Sequence, residues 1–261
     1  MKFIYQCTLV AAIGGLLFGY DTAVVAGAIG FIQEKYQLSA AMTGWAASCA
    51  LIGCMIGAMV AGGLSDKLGR RKVLMISAWA FAISSVGIMA PMGLTSFIVF
   101  RMIGVIGIGI ASILSPMYIS EIAPASIRGR LISIYQLGIV IGILLIYFVN
   151  AAIAGLHDHN WNVESGWRWM FGLTAAPAIL FFIGMLCVPE SPRWLAKNGK
   201  SNSARNILKK IGGESYADAA TAEIQSTLAS EEIQRVRFAD LLEPKMRKVL
   251  VLGVVLAVFQ Q

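Results

Sequence analysis

Two charges stand inside stretches that otherwise belong in hydrocarbon: Asp21 in "GGLLFGYDTAVVAGAIG" and Arg101 in "VFRMIGVIG". A charge at the centre of a membrane span costs roughly 2.5–3.5 kcal/mol by insertion scales, so it faces a cavity or an opposite charge. Each of these two is the other's available partner. If the first span runs outward from about residue 7, Asp21 lies about 21 Å along it. Arg101, near the start of an inward-running fourth span, lies about 8 Å below the outer surface, so on a ~30 Å core both reach a similar depth. Such a pair has two uses. It is a static tie between helices, or it is a proton switch in which Arg101 keeps Asp21 ionised until separation leaves a desolvated carboxylate that takes up a proton.

Phe18 sits one helical turn before Asp21 and offers either a pocket wall or plain packing. Gln136 is uncharged but costly in lipid, so it is expected to face a cavity, with helix-to-helix hydrogen bonding as the alternative. A second kind of chemistry lies in the loops. "GGLSDKLGRRKVL" joins Asp66 to Arg70 and Arg71 among turn-forming glycines, and "SPMYISEIAPASIRGRL" joins Glu121 to Arg128, with Pro116 and Pro124 expected at helix ends. "VPESPRWLAKNGK" repeats the theme with Glu190 and Arg193. Three acid and base clusters on one face of a bundle make a latch able to break and re-form, or else are charged loops that merely stay in water.

The elements that must position these residues are membrane helices. Of the 261 residues 57% are hydrophobic and 13% charged, far from the soluble norm of about 45–50% and 25%. Apolar runs of spanning length recur near 7–32, 43–64, 73–91, 96–118, 131–154 and 169–188. A seventh run from Val249 to Gln261 reaches only about 20 Å, short of a ~30 Å core, so that span is read as truncated. The expected organisation is an all-α membrane protein. A six-helix bundle occupies 1–188, a linker of short amphipathic helices 189–245, and an incomplete seventh span 246–261. Of the 21 Lys and Arg, all but Lys35, Arg168 and Arg101 fall before the first span, in the loops after spans two and four, or in the long loop after span six. Positive loops stay inside, so the N-terminus and the linker are expected in the cytoplasm. Within the linker, Ser201 or Asn202 is the expected N-cap of one helix and Gly212 its stop.

The same placement gives the net charge of +7 a simpler account than nucleic-acid binding. Lys2 and the apolar run after it have the start of a signal peptide, but the run continues past a normal cleavage point and more spans follow. The four cysteines, Cys7, Cys49, Cys54 and Cys187, fall in or beside spans as reduced packing residues. "HDHNW" reads as an exposed outer loop, so no metal site is expected. The glycines of "GVIGIG" lie inside a span, where small residues let helices approach, and do not make a nucleotide loop. No activated nucleophile or paired carboxylate lies at catalytic spacing, so an enzyme is not expected and no cofactor is implied.

The set "DKLGRR", "PMYISEIAPASIRG", "YQLGIVIG", "PESPRWL" and "FQQ" resembles, in order and spacing, the sugar porter family of the major facilitator superfamily. Around "GGLLFGYDTAV" and "ALIGCMIG" it is most similar to that family's bacterial D-xylose:proton symporters. The resemblance implies the N-terminal half of a twelve-span fold, in the bacterial inner membrane, with the C-terminal half needed for function. It implies alternating-access symport of a monosaccharide (D-xylose or a hexose) driven by the proton gradient, with facilitative uniport or sugar sensing without transport as alternatives. Proton-coupled members carry Asp where Asp21 stands and facilitators commonly Asn. Gln260 and Gln261 match the family's span-seven sugar ligands and join Phe18 and Gln136 as the expected sugar site, and Asp66, Arg70, Arg71, Glu121, Arg128, Glu190 and Arg193 are the expected intracellular gate. Ile143 departs from the Gln expected of the D-xylose symporter and matches many hexose carriers, which makes glucose a rival substrate and the position a specificity candidate.

Overall fold

The computed structural model describes residues 2–90, 93–233 and 244–260, and among them the secondary structure is entirely helical. Five unbroken helices come first: α1 (Lys2–Tyr36), α2 (Ala40–Leu68), α3 (Arg70–Met89), α4 (Leu94–Ile122) and α5 (Arg128–Leu156). The sixth span, α6 (His159–Cys187), is interrupted by a π-helical turn at Asn162–Gly166 and a break at Leu173 and Thr174. Then follow α7 (Pro192–Lys197), α8 (Ser201–Gly212), α9 (Glu214–Ile233) and α10 (Pro244–Gln260). Each of α1 to α6 is long and apolar enough to cross a membrane, and the chain is a multi-pass membrane protein.

Local chemistry sets the joints. The Ser39 hydroxyl accepts from the Met42 amide at the start of α2, and Asp158 accepts from the Trp161 amide at the start of α6. Consequently "HDHNW" is only partly a loop, because its last three residues are already helical. Gly69, at φ 96°, makes the α2–α3 turn. Pro116 lies inside α4 and does not end it, contrary to expectation. A proline removes the bond to the carbonyl four residues earlier; that carbonyl, Ser112 O, accepts instead from the Tyr135 hydroxyl at 3.4 Å. Pro124 does fall just beyond the helix end. In α8, Ser201 is the first helical residue with Lys200 at the cap, and Gly213 at φ 86°, in place of Gly212, makes the stop.

α1 packs chiefly on α5, while α3 and α2 pack on α4 and α3 also on α6. Glycines bring these pairs together. A Cβ on Gly19 would strike the Ile139 carbonyl, one on Gly142 the Leu16 carbonyl, and one on Gly109 the Cys54 carbonyl. Two apolar clusters fill the interior. One, around Leu17, Leu74, Tyr118, Leu131 and Phe181, takes in Leu208 and Ile211 of α8 and so seats that helix under the bundle. The other gathers Val24, Ile32, Ile88, Phe97, Ile146 and Trp167. Large apolar residues such as Ile83, Val86, Leu144, Phe148 and Leu180 remain exposed on the outer surface, as lipid-facing residues do.

Candidate functional site

At the seam between the two clusters Asp21 and Arg101 are buried, 4% and 3% exposed. Arg101 Nη1 donates to Asp21 Oδ1, and Nη2 donates to the Asp21 backbone carbonyl at 3.3 Å. The Phe171 ring of α6 covers the guanidinium, its centroid 5.1 Å from Cζ. Two charges removed from water are held here by each other and by an aromatic face. Such a pair tolerates burial only while both members stay together.

The pair lies in the wall of a cavity of about 320 Å³ between α1, α2 and α4. Phe18, Asp21, Thr22 and Val25 come from α1, Ala47, Ser48, Leu51 and Cys54 from α2, and Arg101 and Val105 from α4. Phe18 therefore shares a cavity with Asp21. Gln136 does not: it is exposed on α5, outside this lining. Ile143, two turns further along the same face of α5, is half-buried against the second cluster. Gln260 ends α10, with its side chain outside the described residues, and Gln261 lies outside them altogether. Phe171, Thr22 and Ser48 carry no signal in the sequence that separates them from other residues of apolar spans, and Cys54, expected only as a packing residue, lines the cavity.

The loop clusters assemble at the basic end of the bundle. Arg70, opening α3, donates from Nε and Nη2 to Glu121 of α4 at 3.1–3.2 Å and from Nη1 to Asp66 of α2 at 2.8 Å. Glu190 accepts from the Arg71 amide at 3.0 Å and the Ser191 amide at 2.9 Å, an anion seated at two helix starts. Gly69 is required there twice over, since a Cβ would strike the Glu190 carboxylate. The Arg71 side chain binds the carbonyls of Met185 and Leu186 at 2.8 and 2.7 Å, satisfying the C-terminal end of α6. Asp66 also accepts from Lys197 at 3.4 Å, and its carbonyl from Trp194 Nε1 at 2.9 Å. Arg128 and Arg193 line the adjoining cavity of about 530 Å³ with Asp66 and Glu121. Asp66, Arg70, Arg71, Glu121 and Glu190 thus tie α2, α3, α4, α6 and α7 together, and Arg128 and Arg193 join Asp66, Arg70 and Glu121 in lining that cavity.

Comparison with known proteins places this arrangement. The profile of the Sugar (and other) transporter family matches residues 7–261. The chain is 44% identical over its full length to the arabinose-proton symporter of Bacillus subtilis, and covers 56% of it. It is 43% identical, again over its full length, to the D-xylose-proton symporter of Escherichia coli, covering 57%. The solved structure of the proton:xylose symporter XylE bound to 6-bromo-6-deoxy-D-glucose superposes on all of the chain with TM-score 0.90 and 41% identity, over 59% of that structure. The chain therefore spans somewhat more than half the length of the curated relatives it matches, and corresponds to the N-terminal half of that fold.

Proposed function

The chain belongs to the sugar (and other) transporter family, and we propose that it is the N-terminal half of a proton-coupled monosaccharide symporter of a bacterial plasma membrane. The observation that carries this reading is the buried Asp21–Arg101 pair in a cavity wall. While paired, the carboxylate keeps its charge. When α1 and α4 shift and the pair opens, burial without a counter-charge favours the neutral form, so a proton binds from whichever side is open. Re-pairing expels it on the other side. A sugar rests on the apolar wall of Phe18, with the amides of Gln136, Gln260 and Gln261 as hydroxyl partners; Ile143 in place of an amide favours a hexose over D-xylose. The Arg70–Glu121–Asp66 and Arg71–Glu190 contacts face the cytoplasm. They hold the inner gate shut and break as the two halves rock.

The test uses the complete polypeptide that contains this chain. In Asp21→Asn, sugar-driven alkalinisation of the medium is expected to fall at least tenfold while sugar exchange across the membrane continues. Alkalinisation at the unaltered rate would falsify the proton role. Sugar flux without alkalinisation in the unaltered protein would make it a facilitator.

A further inference from the structure

The two flanks of α1 carry different chemistry. On a helix turning about 100° per residue, Gly15, Leu16 and Gly19 point to one flank, and Phe18, Asp21 and Val25 point about 140° away. The first flank is closed by α5, for a Cβ on Gly15 or Gly19 would meet the carbonyls of Tyr135 and Ile139. The second opens into the cavity walled by α2 and α4, and among the described residues none of α5 lines it. α1 and α2 themselves meet only sparsely.

That cavity, about 320 Å³ in volume, has room for on the order of ten waters at about 30 Å³ each. Thr22 and Ser48 give it an exposed polar rim. At its floor Arg101 Nε is buried and, among the described residues, has no hydrogen-bond partner, so the guanidinium retains a donor that protein groups do not use. Phe171 covers the pair from α6. The other titratable groups close to it are Cys49 and Cys54, both of α2: Cys49 is fully buried, and Cys54 is half-buried in the cavity wall.

We infer that Asp21 exchanges its proton with water through this crevice between α1, α2 and α4, with Ser48, Leu51 and Cys54 as its outer wall, on the far flank of α1 from Gln136 and Ile143. Phe18 borders the crevice and is also the sugar's apolar wall, so proton and sugar meet at that side chain, while Gln136 and Ile143 lie across α1. The inference rests on the symport reading and adds the path.

Cys54 makes the path measurable. With Cys7→Ala, Cys49→Ala and Cys187→Ser in place, the chain in lipid bilayers is treated with a small water-soluble methanethiosulfonate. The Cys54 thiolate attacks its sulfenyl sulfur, forming a mixed disulfide and releasing methanesulfinate. Mass spectrometry is expected to find the adduct on Cys54. No adduct from this reagent, with labelling by a lipid-soluble maleimide, means a wall facing lipid and overturns the crevice. In the complete polypeptide the adduct is expected to slow sugar-driven proton uptake at least fivefold, leave the sugar Kd within twofold, and form equally fast in saturating xylose or glucose. Protection by either sugar, or an equal loss of sugar binding, means that the sugar fills the crevice beyond Phe18 and overturns a proton path of its own. The same loss in a reagent-treated Cys54→Ala protein overturns the assignment to Cys54. Proton uptake persisting in Asp21→Asn defeats the symport reading and this inference together, whereas a Cys54 closed to aqueous reagent defeats the crevice alone.

Discussion

Arg101 serves Asp21 in a way that a stability measurement exposes. Truncating one member of a buried pair leaves the other charged and unpartnered, at a cost of about 3–5 kcal/mol, whereas replacing both by uncharged groups of similar volume is often nearly neutral. Arg101→Ala is therefore expected to destabilise the folded chain by about that amount, read from unfolding in lipid nanodiscs. Asp21→Asn combined with Arg101→Met should recover most of it, and a double variant as weak as Arg101→Ala would show that packing, not charge, holds the seam. The pairing was legible in the sequence because these two charges interrupt apolar spans at matching depth. Its surroundings were not. Which of Phe171, Thr22, Ser48 and Cys54 borders the pair depends on how each helix is rotated, and spans that are apolar all round carry no periodicity to fix that rotation. Gln136 shows the same limit from the other side. Its polarity marked it as unsuited to lipid without saying which surface it occupies, and it stands exposed on α5.

At the scale of elements, the α1–α5 contact is set by glycines that admit a neighbour's backbone. Gly19→Val and Gly142→Val each place atoms where the Ile139 and Leu16 carbonyls stand, and overpacking of this kind costs about 1–3 kcal/mol. Gly30→Ala, with nothing within 4 Å of the added Cβ, is the matched control and should be near neutral. If all three unfold alike, close approach is not what those glycines provide. The spans were readable from hydropathy, but their ends were not, because the helices run on past the apolar stretch until a glycine, a proline or a capping side chain intervenes. Pro116 misled because its lost backbone bond is replaced by the Tyr135 hydroxyl from another helix.

The α8–α9 turn offers a pH test at the same scale. Hydrogen bonds from Lys209 and Arg205 hold the Glu214 carboxyl below its ordinary value of 4.5. A lowered folded value means the contribution is fully present above pH 4.5 and is lost as pH falls through the lowered value. Amide exchange across Ser201–Ile233, corrected for intrinsic rate, is expected to speed up between neutral pH and about pH 3, and less so in Glu214→Gln. An identical acid response in both proteins would assign the turn's stability to other contacts.

For the molecule as a whole, the buried Asp21–Arg101 pair and the cavity beside it lie within these six spans, which correspond to the N-terminal half of the symporter fold they match. Alternating access requires two bodies that rock about a site between them, and the chain spans 56% of the arabinose-proton symporter and 57% of the D-xylose-proton symporter. α10 leaves Val249, Val251, Leu252 and Val254 exposed, an apolar surface that a second bundle or lipid would cover. Monomeric 261-residue chain in proteoliposomes is thus expected to carry no monosaccharide flux above protein-free vesicles, while still admitting aqueous reagent to Cys54. Co-reconstitution with a C-terminal half should restore flux. Sugar flux from the monomer at the rate of the complete transporter would mean that one bundle can alternate alone, and the two-body mechanism would have to be abandoned.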